Sequence, residues 1–189
     1  EALCLLFLGH NFRLKGLWQM LQVLPRLGPL GRPVHLLVAG KGTGEPQRRK
    51  ARRLVRALGL ERQVTFAGDV RPSLHAHAAA DALLHLSWHD SFGFVSLEAM
   101  ASGLPVVTTP YVGAAELIVH GESGLVVDPA RDDAIIDAIR QLADDGVRAR
   151  VGTAAAIEGA RHDEPKNFAE VHAVIGTAVA RGAGPIGAR

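Results

Sequence analysis

Six short apolar runs constrain this chain more than any other feature. They are Leu3–Leu8, Val34–Ala39, Val64–Phe66, Ala82–Leu86, Pro105–Thr108 and Leu125–Val127. A strand with one wet face alternates apolar and polar residues. Most of these runs are unbroken, which implies burial on both faces. Stretches with helical spacing lie between them. Leu17, Met20, Leu21 and Leu24 recur at i, i+3, i+4 and i+7. So do Ala51, Leu54, Val55 and Leu58, and Ile135, Ala138, Ile139 and Leu142. Each set lays an apolar stripe on one helix face. Asp128-Pro129 and Asp132 supply start signals for the third helix. Strand alternating with helix predicts an α/β fold: a Rossmann-like, doubly wound parallel sheet of about six strands with right-handed crossovers.

A chain of 189 residues suits one domain, at roughly 100–200 residues each. The expected domain covers 1–181 and closes on an alanine-rich helix from Pro165 to about Arg181; the tail 182–189 is expected to fray. With 48% hydrophobic and 21% charged residues, the composition is that of a globular domain and not of a disordered chain. The single cysteine, Cys4, excludes a disulfide framework and a cysteine-rich zinc site. It falls in an expected buried strand and reads as inert. No apolar run approaches the ~20 residues that span a bilayer. Leu3–Leu8 is also too short for a signal-peptide core and follows no basic residue. The first residue is Glu1, and the chain reads as cut from something longer.

A net charge of +2 implies no nucleic acid without a patch. One patch exists, from Arg48 to Arg56. Its bland reading is the solvated face of a helix that covers the sheet. Its sharper reading is peripheral contact with an anionic membrane surface, at about 1 kcal/mol per basic residue. No aromatic residues interleave with the charges, so nucleic acid is not expected.

In doubly wound folds, ligands sit at the carboxyl ends of the strands. The first strand runs into Gly9-His10-Asn11-Phe12-Arg13-Leu14-Lys15-Gly16. Glycine lets the chain turn close to a ligand, and a helix start favours an anion. Arg13 and Lys15 add full charges there; the alternative is a basic surface turn. The second strand ends in Gly40-Lys41-Gly42-Thr43-Gly44, which is neither a Walker A loop nor a full G-x-G-x-x-G and reads as a flexible turn. The fourth strand leads into His85-Leu86-Ser87-Trp88-His89-Asp90-Ser91-Phe92-Gly93-Phe94-Val95-Ser96-Leu97-Glu98. With a helix start near Ser91, Asp90 falls in the loop and Glu98 about two turns along the helix. The Phe92–Val95 amides would then cradle a diphosphate or a sugar. Spacing alone leaves open an N-cap Asp with an exposed Glu.

The segment Asp90-x7-Glu98, with Phe92-Gly93 inside it and Glu98-Ala99-Met100-Ala101-Ser102-Gly103-Leu104-Pro105 at its end, resembles the E-x7-E region of retaining GT-B glycosyltransferases, above all family 4. Gly9 to Gly16 is similar to that family's G-x5-K-G turn. Val64–Val70, Gly113–Ile118 and Gly121–Val127 resemble three further segments in the right order. The resemblance spans about Leu3 to Asp145, and an ordered set of five is far more specific than any one.

The resemblance implies the C-terminal half of a GT-B fold. It implies a metal-independent hexosyltransferase that moves sugar from an NDP-sugar, UDP-sugar favoured, to a glycan or lipid-linked acceptor, as in lipopolysaccharide synthesis. Asp90, Lys15 and Arg13 are then the catalytic candidates. Lys15 meets the diphosphate and Asp90 the sugar hydroxyls. Gly9, His10, Phe92, Gly93, Phe94, Val95 and Glu98 bind the donor, with Glu98 on the ribose. Gly68, Val70 and Arg71 border the base, together with Asp69. No cofactor beyond the donor is implied. The expected partner is an N-terminal acceptor domain outside this chain. The expected location is cytoplasmic, peripheral to the inner membrane face if the basic helix binds there. Two departures stand out. Asp90 is shorter than the usual Glu, and His10 stands where the family carries arginine, with Arg13 as the replacement charge.

Other classes recede. His75-x-His77 and His85/His89 are the nearest metal pairs, but the second straddles a strand end. There is no D-x-D motif and no G-x-S-x-G elbow. Two alternatives remain: a nucleotide-sugar-binding module without turnover, and half of a GT-B-like epimerase or phosphorylase.

Overall fold

The computed structural model describes residues 2–162. The expected helix Pro165–Arg181, the tail 182–189 and the end of the 1–181 domain lie outside these residues.

The described chain forms one six-stranded, all-parallel sheet in the order β3-β2-β1-β4-β5-β6. The strands are β1 Leu3–Leu8, β2 Val34–Ala39, β3 Val64–Gly68, β4 Ala82–His85, β5 Val106–Thr108 and β6 Leu125–Val126. The helices are α1 Leu17–Val23, α2 Glu45–Ala57, α3 Leu74–Ala78, α4 Phe94–Ala101, α5 Asp132–Ala143 and α6 Asp145–Gly159. All six apolar runs are strands, the first two as expected and the other four with one end shifted by one or two residues.

The unbroken runs have the expected cause. Leu3, Leu5, Phe7 and Leu84 point to one face, where they pack with α1, α2 and α5 residues such as Leu17, Val55 and Ile139. Leu6 and Leu83 point to the other, against Ala76 of α3, Met100 of α4 and Ala155 of α6. Successive strand side chains alternate faces, so both layers need apolar residues from the same strand.

Helix α6 has no large apolar stripe and escaped the periodicity argument. It packs through small residues instead. A Cβ on Gly152 would lie 2.4 Å from the Gly103 carbonyl oxygen, and one on Gly159 would lie 2.5 Å from the Ala101 nitrogen. Asp144 caps it by accepting from the Val147 N–H at 2.8 Å.

On α2, Ala51 and Val55 are buried and the arginines face outward. Arg52 lies over the Phe66 ring at 4.9 Å and Lys50 over the Trp18 ring at 5.3 Å. The basic run is therefore the outer face of a helix covering the sheet. Cys4 is half-buried, and burial pushes its thiol pKa up, aided by the nearby Asp81 charge. Among the described residues no helix is long and apolar enough to cross a membrane.

Candidate functional site

Strands β1 and β4 are neighbours, and the strand order reverses between them. Their loops diverge there and leave a crevice at the carboxyl edge. Lys15 enters it from the turn after β1 and Asp90 from the loop after β4. Their side chains form an ion pair.

His85 ends β4 and is buried. Its Nδ1 lies 2.9 Å from Ser96 Oγ on α4. Its Nε2 lies 3.2 Å from Asp90 Oδ2, out of line for a good hydrogen bond. Burial, reinforced by the Lys15 charge, pushes the imidazole pKa down to about 4 against the pull of Asp90. The ring is neutral at pH 7. We assign its proton to Nε2, facing the acceptor-only carboxylate, so that Nδ1 accepts from the Ser96 hydroxyl. Burial pushes the Asp90 carboxyl up. The bond and charge of Lys15, the His85 ring and the Phe92 N–H outweigh that and hold it below the usual carboxylate range.

Backbone bonds from the loop after β5 fix this acid. The Asp90 N–H donates to the Tyr111 carbonyl at 3.0 Å, and the Ala114 N–H to the Phe92 carbonyl at 2.6 Å. The Trp88 N–H donates to the Leu14 carbonyl at 2.9 Å, which ties the β4 loop to the β1 turn. Gly93 closes the loop at φ +83°, and a Cβ there would fall 2.5 Å from Val112 Cγ1 and 2.9 Å from His85 Cε1. Only glycine meets both demands.

That glycine corrects one expectation. Helix α4 begins at Phe94 and not near Ser91, because the left-handed Gly93 interrupts helical geometry. Glu98 therefore sits about one turn into the helix. Of the four amides expected to cradle a ligand, the Phe92 N–H already favours the charged form of the Asp90 carboxylate. Those of Phe94 and Val95 open the helix.

Beside the ion pair lies a cleft of about 250 Å³. Gly9, His10, Val70, Arg71, Val95 and Glu98 all line it, drawn from three distant segments. The bare Gly9 lets the Lys15 stem lie against it; a Cβ would come within 3.2 Å of Lys15 Cγ. Asp69 and Ser73 line the same cleft. Ser73 Oγ donates to Glu98 Oε2 at 2.9 Å. Asp69 accepts from Arg71 at 3.1 Å and pairs with Lys41 at 2.9 Å. The Lys41 bond and neighbouring cations hold its carboxyl below the usual range. Lys41, read as part of a flexible turn, thus closes the cleft's edge. Sequence spacing marked His85 only as half of a metal pair with His89, and offered no sign of Ser96 or Ser73. The two serines bond to partners 11 and 25 residues away.

Gly68 ends β3, next to this cleft. Phe94 stands outside it, exposed, with its ring 4.8 Å from that of Phe92. Arg13 does not join Lys15. The turn coils tightly, with the Lys15 N–H on the Asn11 carbonyl at 2.9 Å and Phe12 in the core. Arg13 is thereby turned onto a second cleft with Trp18 and Trp88. His75 and His77 stand on α3, and among the described residues no three metal-ligating side chains converge.

The profile of the family described as glycosyl transferases group 1 matches residues 1–158. A D-inositol 3-phosphate glycosyltransferase of Corynebacterium urealyticum is 35% identical over 145 residues, which cover 74% of this chain and 34% of that protein. A lipopolysaccharide core biosynthesis glycosyltransferase of Rhizobium meliloti is 33% identical over 155 residues, covering 80% and 43%. The crystal structure of Anabaena HepE in complex with UDP and glucose superposes with a TM-score of 0.83 at 25% identity, covering 93% of this chain and 48% of that one. The chain spans between a third and a half of the length of these relatives.

Proposed function

The chain belongs to the group 1 glycosyltransferases, and from that premise we propose that its switch-point crevice binds an NDP-sugar, with UDP-sugar favoured. One observation carries the reading. Three segments far apart in the chain deliver four of the donor-binding candidates and two of the base-bordering ones to one cleft, where Gly9 lies against the Lys15 stem of the Lys15–Asp90 pair. Structures of HepE with UDP and with UDP-glucose, at 24–25% identity, support the choice of ligand.

In this reading Glu98 accepts from the ribose hydroxyls, and Val70 and Arg71 border the base. Lys15 and the first amides of α4 meet the diphosphate. Asp90 accepts from the sugar hydroxyls. In the free protein Asp90 also holds Lys15 in place, so the donor's phosphates compete for a cation that is already positioned. Negative charge grows on the diphosphate as the glycosidic bond breaks. Fixed positive groups stabilise that state without reorganising. The whole protein then transfers a hexose with retention, without metal, to a glycan or lipid-linked acceptor. It does so in the cytoplasm at the inner membrane face, with the exposed cations of α2 as a contact. Most of the acceptor site falls in the part of the relatives' length that these residues do not span, and these residues by themselves are expected to bind donor without turnover.

Calorimetry with UDP, ADP, GDP and their glucose conjugates tests this. A UDP-sugar is expected to bind more tightly than UDP. Asp90→Asn is expected to lose that increment, about 10–100-fold for hydrogen bonds to a charged group, while UDP itself binds nearly as before. No binding of any nucleotide at millimolar concentration would falsify the proposal.

A further inference from the structure

The second cleft, of about 630 Å³, lies outside the donor site. Its walls are Asn11, Arg13 and Leu14 of the β1 turn, Trp18 and Gln19 of α1, and Trp88 of the β4 loop. The chain has two tryptophans, and both line this cleft. Trp88 is 41% exposed, so its ring is open to a ligand in the cleft. Trp18 forms a back wall, with Lys50 against its ring. Two polar atoms behind that wall, Trp18 Nε1 and Gln19 Oε1, are buried without a hydrogen-bond partner. Native proteins seldom leave such atoms unpaired. Arg13 makes no ion pair among the described residues. Asn11 Oδ1 is engaged by the Leu14 N–H and by Gln47, which leaves its amide N–H groups to donate outward.

The cleft also has a meaningful position. Leu14 directly precedes Lys15, Trp88 stands two residues before Asp90, and the two strips are bonded to each other. One ridge therefore carries the Lys15–Asp90 pair and one wall of this cleft.

We propose that this cleft is a saccharide subsite, which holds the acceptor's sugar unit nearest the transferred sugar. Indole faces suit the C–H faces of a pyranose, while the amides of Asn11 and Gln19 and the Arg13 guanidinium suit its hydroxyls. The subsite makes and breaks no bond. It orients a ring beside the reacting centre, which is where orientation saves activation entropy. Its role rests on the transferase reading; its existence does not.

Because both tryptophans line the cleft, intrinsic fluorescence reports its occupancy. The full 189-residue chain is titrated with methyl α-glucoside, methyl α-galactoside, methyl α-mannoside and glucuronate, with and without saturating UDP. At least one sugar is expected to change the emission with a Kd of about 1–10 mM, the range for a ring of roughly a dozen heavy atoms. Trp18→Phe should keep the response, now from Trp88 alone. Trp88→Ala should weaken sugar binding at least tenfold by calorimetry and keep the Kd for UDP within twofold. That unchanged Kd also shows that the variant is folded; should it fail to fold, the Trp18→Phe titration decides. The proposal is overturned by silence from all four sugars up to about 50 mM. A response produced by UDP alone, or full sugar affinity in folded Trp88→Ala, overturns it equally. Failure of the donor reading appears separately, as an absence of UDP binding.

Discussion

The two halves of the donor crevice are built on opposite principles. On the β4 side, Asp90, Lys15 and His85 expose 16%, 22% and 1% of their side chains. Backbone bonds from the β5 loop hold Asp90 in position, and a bond within the β1 turn holds Lys15. On the β2–β3 side, His10, Lys41 and Arg71 expose 58%, 60% and 78%, and all three side chains converge on one carboxylate, Asp69. Charge pairs in water contribute little and rearrange readily. Partly buried pairs in a packed setting are costly to break and keep their geometry. In the proposed reading the rigid half faces the reacting sugar, where tenths of an ångström matter. The pliant half faces the nucleotide, which only has to be held.

Breaking the rigid half should produce the largest effect. Gly93→Ala places a methyl group against Val112 and His85 in a left-handed conformation. Backbone strain and overpacking together are expected to cost about 3 kcal/mol in urea unfolding. A loss under 1 kcal/mol would show that the loop is not packed as tightly as described.

Acid should separate the halves next. The buried His85 has a folded pKa of about 4, and its ordinary value is 6.5. The unfolded chain takes up this proton near pH 6.5, and the folded protein resists until about pH 4. Stability that is full above pH 6.5 is therefore lost as the pH falls toward 4, by roughly 2–3 kcal/mol. The depressed Asp90 acts in the same direction at lower pH. Unfolding at pH 7 and pH 4.5 measures the slope, and His85→Gln should flatten it. An unchanged slope in that variant would remove His85 as its source.

The pliant half should answer in binding and not in stability. Glu98 stands on α4 but is exposed and turned to the pliant half, where Ser73 after β3 donates to it. Glu98→Ala is expected to weaken UDP binding about tenfold, one charge-assisted hydrogen bond's worth, with an unchanged melting temperature. Equal affinity would take Glu98 out of the ribose role. Smallest of all should be Lys41→Ala, which removes one exposed partner of Asp69. UDP affinity within about twofold of wild type is expected, and a larger loss would mean that Lys41 touches the ligand itself.

Some of this was legible in the sequence. Unbroken apolar runs announced strands buried on both faces, and helical stripes announced α1, α2 and α5. The ordered motifs pointed to Lys15, Asp90 and Glu98 before any geometry was known. Helix α6 was not legible, because its packing code is glycine and alanine and not a bulky stripe. His85 looked like one histidine of nine. Nothing local shows that its ring bridges Ser96 and Asp90.

By itself, then, the sequence determined the layer architecture and the identity of the chemical groups at the strand ends. Those depend on periodicity and residue type, which are local properties. Only the tertiary structure decided which groups share a space. It turned Lys15 toward Asp90 and Arg13 away from it, though they stand two residues apart. It also gathered both tryptophans around one cleft. Such choices depend on the coil of one turn and on packing between strands distant in the chain, and linear spacing encodes neither.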